Sequence, residues 1–170
     1  GLSLREAARR VGVSHAAPYR HFPDKNSVLV AIALQGYDWL AEAGEAAMVE
    51  HTDAQRRLDS YGVAYVLFAR RHPVHFRVMF TESMELPEGV LPNDQHRSFD
   101  LLVDAASAAV GAGRDPLLTA VSAWSWPHGL AMLILDGRVP ADQVATDEQV
   151  EKLAWRVAAQ LGGTLPDGVL

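Results

Sequence analysis

The sequence predicts an all-α protein built from an N-terminal helix-turn-helix over residues 1–44 and a C-terminal helical bundle over 45–170. Three observations lead there. Apolar residues recur at i, i+3 and i+4 through most of the chain. Capping boxes, Ser-x-x-Glu at 3–6 and Thr-x-x-Gln at 52–55 and 146–149, each announce a helix start. No segment shows the period-two alternation of a half-buried strand.

Ser3 caps a first helix whose apolar face is Leu4, Ala7, Ala8 and Val11, and Gly12 supplies the left-handed stop. Ser14 caps a second, short helix over 15–22 that Pro23 ends. Asp24 caps a long third helix with Val28, Leu29, Ile32, Gly36, Trp39 and Leu40 at helical spacing. The box at 52–55 opens a helix to about Arg71, ahead of Pro73, with Leu58, Tyr61, Tyr65 and Phe68 on its apolar side. A shorter helix presents Phe76, Met79 and Phe80. Residues 84–92, with two prolines and a glycine, are a loop. Helix resumes over 94–110. Asp115 and Pro116 are a cap and first-turn proline for a helix reaching Gly137. The box at 146–149 opens a last helix, which stops at Gly162 and Gly163.

The 170 residues suffice for one domain or two small ones with a real core. Nearly half are hydrophobic, a balance usual for soluble globular chains. The chain has no cysteine, which excludes disulfides and thiolate metal sites. No apolar run approaches the ~18 residues of a membrane span, and no signal peptide opens the sequence. A cytoplasmic protein without membrane contact is expected. The net charge is −6, but unevenly spread. Residues 1–25 carry Arg5, Arg9, Arg10, Arg20 and Lys25 against Glu6 and Asp24, a balance of +3 that leaves −9 for the rest. A basic head on an acidic body points to one focused anion site.

Two helices joined by Gly12-Val13-Ser14 have helix-turn-helix spacing: Ala8 is small where the helices approach, Gly12 turns the chain, and Val13 fills the space beneath. The second helix would enter a DNA major groove with His15, Ala16 and Ala17 at base edges. Tyr19, His21 and Lys25 would meet phosphates, and the helix start at Asp24 offers free N–H groups to an anion. Pro18 replaces only the first N–H bond of its helix and occupies an inward position. The whole string "LSLREAARRVGVSHAAPYRHFPDK" closely resembles the DNA-binding motif of TetR-family transcriptional regulators. The resemblance implies that Ser3, Tyr19, His21 and Lys25 touch the DNA backbone, while Ser14, His15, Ala16, Ala17 and Arg20 face bases or flanking phosphates. It also implies a preceding helix, absent from the given sequence, without which Leu4, Val11 and Phe22 lack a packing partner.

The stretch "DPLLTAVSAWSWPHGLAMLILDG" at 115–137 is apolar nearly all round and should be buried on more than one side. One face collects Leu117, Val121, Trp124, His128, Ala131 and Leu135. Beside it Ser122, Ser125 and Gly129 are small enough to let another helix come close. Pro127 frees the carbonyl of Ala123, so a kink is expected beside His128. Trp124, His128, Gly129 and the closing "LDG" resemble a TetR subfamily with a Trp-His-Gly C-terminal domain, which implies an effector-binding and dimerisation domain. The candidate ligand residues are Trp39, Tyr61, Tyr65, Phe68, Phe76, Met79, Phe80, Trp124 and His128. Core packing explains their spacing as well as a moderately apolar pocket does. The resemblance places dimerisation on the helices at 115–137 and 147–162, where Val150, Leu153, Ala154, Val157 and Leu161 suit an isologous seam.

His72-Pro-Val-His75 is a weak metal signal, because Pro73 breaks the helix between the imidazoles and no second cluster completes a site. No nucleophile elbow, phosphate loop, zinc-protease or dinucleotide motif is present. The expectation is therefore not an enzyme and no cofactor. It is a homodimeric, ligand-responsive regulator, most simply a repressor, whose partners are an operator duplex and a small, largely apolar effector. The alternative is a helical ligand-binding or enzymatic bundle whose N-terminal helices contact protein.

Overall fold

The computed structural model describes residues 3–81, 97–110 and 115–163. The loop expected at 84–92 and the helix start expected at 94 lie outside them. The described residues form seven α-helices: α1 (Leu4–Arg10), α2 (Lys25–Val49), α3 (Ala54–Arg71), α4 (Pro73–Met79), α5 (Arg97–Val110), α6 (Pro116–Leu135) and α7 (Asp147–Gln160). Two 3₁₀ turns, Pro18–Arg20 and Ala141–Gln143, complete the regular structure, and no strand occurs among these residues. The fold is all-α.

The helix ends follow local chemistry. Asp24 and Ser27 form a reciprocal capping box at the start of α2, and Thr146 and Gln149 do so at α7. The cap of α3 is one residue later than expected. Asp53, not Thr52, accepts the Arg56 N–H, and Gln55 donates instead to Asp59. Helix α1 ends on Gly12 at φ +74, which lets Val13 N–H reach back to Ala8 O at 3.0 Å.

The second helix expected over 15–22 is a correction. Residues 14–17 form a turn closed by Ala17 N–H to Ser14 O, and only Pro18–Arg20 is helical, as a 3₁₀ turn. Pro18 has no N–H to close an α-type bond to Ser14, so tighter three-residue turns carry the segment onward. Val13 does not fill a core either; it is 47% exposed.

Helix α3 is the centre of the molecule, packed by α2, α5, α6 and α7. Its residues 58–66 are all buried. One side, with Leu58, Tyr61, Tyr65 and Phe68, was expected to be apolar; the other presents Val63 and Val66 to Leu130, Val150, Ala154 and Trp155. Close approach rests on glycine: a Cβ at Gly44 would fall 2.5 Å from the Tyr61 ring, so α2 and α3 touch through a bare backbone. Helix α2 runs unbroken through residues 44 and 45, so the two expected parts share one continuous helix.

Candidate functional site

The site begins with the hydroxyl of Tyr65, a buried residue at the middle of α3. Trp124 Nε1–H on α6 donates to it at 3.1 Å, and His128 Nδ1, one turn further along α6, lies 2.8 Å away. Indole N–H can only donate. The tyrosine proton is then free for Nδ1, which places the imidazole proton on Nε2. Burial holds His128 toward its neutral form, and burial pushes the Tyr65 hydroxyl far above the usual phenol range. At neutral pH this is an uncharged relay of three side chains.

Aromatic rings enclose it. Phe76 and Phe80 of the α4 region meet His128 at centroid distances of 5.6 and 4.7 Å, Phe80 meets Trp124 at 6.0 Å, and Phe76 meets Tyr65 edge-on at 5.5 Å. Tyr37 donates to Met79 O at 3.2 Å, and burial lifts its hydroxyl to about 12. Tyr61 donates to Ser98 O at 2.5 Å, tying α3 to α5. The space left between Tyr37, Tyr61, Tyr65, Phe80, Phe99 and Trp124 is ≈ 20 Å³, room for about one water. The chamber is nearly filled.

The structure therefore gathers Tyr61, Tyr65, Phe76, Phe80, Trp124 and His128. Trp39 and Phe68 pack in the same core cluster as Tyr65 and Phe76 but do not border the small space beside Trp124. Both line a separate groove between α2, α3 and α7, where Trp39 stacks on His72 and His75 at 5.0 and 4.6 Å. Met79 is a packing residue, its sulfur lying where a side chain on Gly36 would be. Sequence reading missed Tyr37, Ser98, Phe99 and Leu102. Tyr37 precedes Leu40 by three residues, a spacing that marked the correct face of α2.

In the head, Ser3, Ser14, His15, Ala16, Tyr19, Arg20, His21 and Lys25 are exposed and Ala17 is half-buried. The Ser3 hydroxyl accepts Glu6 N–H at 3.4 Å, and Glu6 holds Arg9 and Arg10. The start of α2 is less open to an anion than expected. The Asp24 carboxylate accepts Ser27 N–H at 2.7 Å, and these bonds hold its pKa below the usual range. Lys25 is the positive group there. Leu4, Val11 and Phe22 border an open apolar concavity of ≈ 440 Å³; Leu4 is itself buried, while Val11 is 73% exposed.

On α6, Ser122, Ser125 and Gly129 are all exposed, beside Leu118 at 65% and Leu133 at 50%. Both serine hydroxyls donate back to their own helix, to Leu118 O and Val121 O at 2.8 Å, so the stripe is apolar in effect. Leu117 and Val121 also face outward, although periodicity sets them on one face with Trp124 and His128. On α7 the seam expectation is corrected for Val150 and Ala154. Both are fully buried against α3 in the same chain and have no surface to offer a second copy. Leu153 and Val157 are half-buried beside them, and Leu161 is exposed. By length and composition alone, residues 117–135 could cross a membrane, but their Trp124, Trp126 and Leu130 pack within the bundle.

A basic head of one α-helix and a 3₁₀ turn, joined by one long helix to a nearly filled aromatic chamber, defines a class of two-part helical proteins. A family model described as "Tetracyclin repressor-like, C-terminal domain" matches residues 58–157, most of the bundle. The chain belongs to the tetracycline repressor-like family. A solved protein with unknown function from Rhodococcus sp. RHA1 is 33% identical; the alignment covers 94% of this chain and 84% of that one, with a TM-score of 0.70. No curated protein matches the sequence.

Proposed function

We propose that this protein is a dimeric transcriptional repressor of the subfamily with a Trp-His-Gly C-terminal domain, released from its operator by a small, largely apolar effector. One observation carries the reading. The helix that begins at exposed Lys25 continues without a break to Tyr37 and Leu40, which line the aromatic chamber. A ligand that widens the chamber pushes on that helix and shifts the head it carries. The Trp124–Tyr65–His128 relay is the polar end of the effector site, and the surrounding rings take its apolar body.

Two heads are needed, since one short recognition segment reads too few bases; half-sites then lie one helical turn apart, ~34–36 Å. The exposed stripe of Leu118, Ser122, Ser125, Gly129 and Leu133 on α6 supplies the isologous contact. A coupling of ~1–3 kcal/mol between effector and operator changes occupancy about tenfold.

The test is duplex binding by the full-length protein as a function of salt. Lys25→Ala should weaken binding to all sequences alike and reduce the log–log salt slope by about one. An unchanged slope would remove Lys25 from the phosphate contacts. Trp124→Phe should alter the effector response while ligand-free operator binding stays as it was.

A further inference from the structure

The groove between α2, α3 and α7 has a volume of ≈ 380 Å³, within the range of small-molecule sites. It borders a different flank of α3 from the aromatic chamber. Its origin is compositional. Ala43, Ala46, Ala47 and Ala64 put methyl groups where larger side chains would close the space, and Trp39, Phe68 and Trp155 stand as walls. Trp39 and Glu50 mark its ends on α2, roughly 16 Å apart along the helix axis.

The charged groups are spread along the groove. The charged lining is Arg71 against Glu50 and Glu151. Arg71 already holds Asp147, with Nε 2.7 Å from the carboxylate. Burial, with His75 and Arg71 nearby, keeps His72 toward its neutral form. Glu50 and Glu151 have no ion pair among the described residues. Glu151 sits one turn before Trp155 on the same face of α7. His51, next to Glu50, meets the Trp155 ring edge-on at 6.1 Å. Two carboxylates without an ion pair among the described residues thus share a largely apolar trough with the Trp155 ring.

We propose that this groove binds an amphipathic organic cation, with its apolar body along the alanine floor and its positive centre beside Glu50, Glu151 and Trp155. An anion would face both carboxylates. A cation gains from them and from the indole face. Binding here does not depend on the DNA-binding reading, because it is measured without DNA.

The experiment compares N-methylacridinium with acridine, its uncharged near-isostere at neutral pH, by calorimetric titration of the full-length protein. The cation should bind about tenfold tighter or more, with a preference that shrinks as salt rises. A Glu50→Gln, Glu151→Gln double variant should lose that preference and keep its affinity for acridine. Ala47→Phe, which fills the trough, should abolish binding of both with the helical circular dichroism intact; if that variant does not fold, Ala46→Leu gives the same readout at the exposed rim. Equal affinities for the two probes, a preference that survives the double variant, or binding that persists in the filled groove would each overturn the proposal.

Discussion

The two flanks of α3 are built from opposite materials. On one, Tyr61, Tyr65, Phe80, Phe99 and Trp124 fill the space between helices until ≈ 20 Å³ remains. On the other, alanines at 43, 46, 47 and 64 leave ≈ 380 Å³ between helices that are also packed together. Helix placement alone does not decide where a cavity lies. Side-chain volume at facing positions decides it, because interiors otherwise pack to crystal-like density. A site rich in aromatics can therefore be filled, and an unremarkable run of alanines can leave space.

That contrast can be broken at its strongest point. Phe76 is fully buried beneath the chamber, and Phe76→Ala should cost about 3–5 kcal/mol in chemical denaturation. A much smaller loss would mean that the chamber collapses easily and is not held open or shut by its rings. Tyr65→Phe removes one oxygen and leaves the Trp124 N–H and His128 Nδ1 without that partner. The expected cost is about 1–3 kcal/mol. A neutral outcome would show that water replaces the hydroxyl.

Acid should act on the same flank. His128 has a folded-state pKa below its unfolded value of about 6.5, so the unfolded chain binds more protons in the interval between them. Its contribution to stability is complete above about pH 6.5 and falls as pH drops toward the folded value. The protonated ring would also present an N–H to Tyr65, whose oxygen already accepts from Trp124. Denaturation midpoints of the wild type and His128→Asn should therefore converge as pH is lowered, and parallel curves would contradict this. The smallest effect belongs to the open flank. Ala46→Leu should change stability by no more than about 0.5 kcal/mol, since the added atoms enter existing space. A large penalty there would show that the groove is not vacant in solution.

Local signals in the sequence set the elements. Asp24, Asp115 and Thr146 cap the helices expected of them, because a side-chain oxygen three residues ahead of a free N–H needs no tertiary help. The motif at 2–25 also gave the turn at Gly12. It did not reveal the 3₁₀ turn at Pro18–Arg20, since the missing N–H of Pro18 acts only when the surrounding turns compete for the same carbonyls. The cap at Asp53 rather than Thr52 is a similar one-residue choice between two adequate oxygens.

The site was half legible. Period 3.6 placed Tyr61, Tyr65, Trp124 and His128 on apolar faces, and a single chamber was inferred from all the aromatics together. Periodicity says which residues face inward, not which of two partners they face. Trp39 and Phe68 border the α7 groove as well as the Tyr65 core cluster because α3 is packed on several sides, and Val150 and Ala154 went inward for the same reason. The sequence by itself determined an all-α chain, its helix starts and a basic head, each governed by interactions within a few residues. Only the tertiary structure decided which flank of α3 is filled and which left open, because that depends on the summed volume of side chains brought together from distant helices.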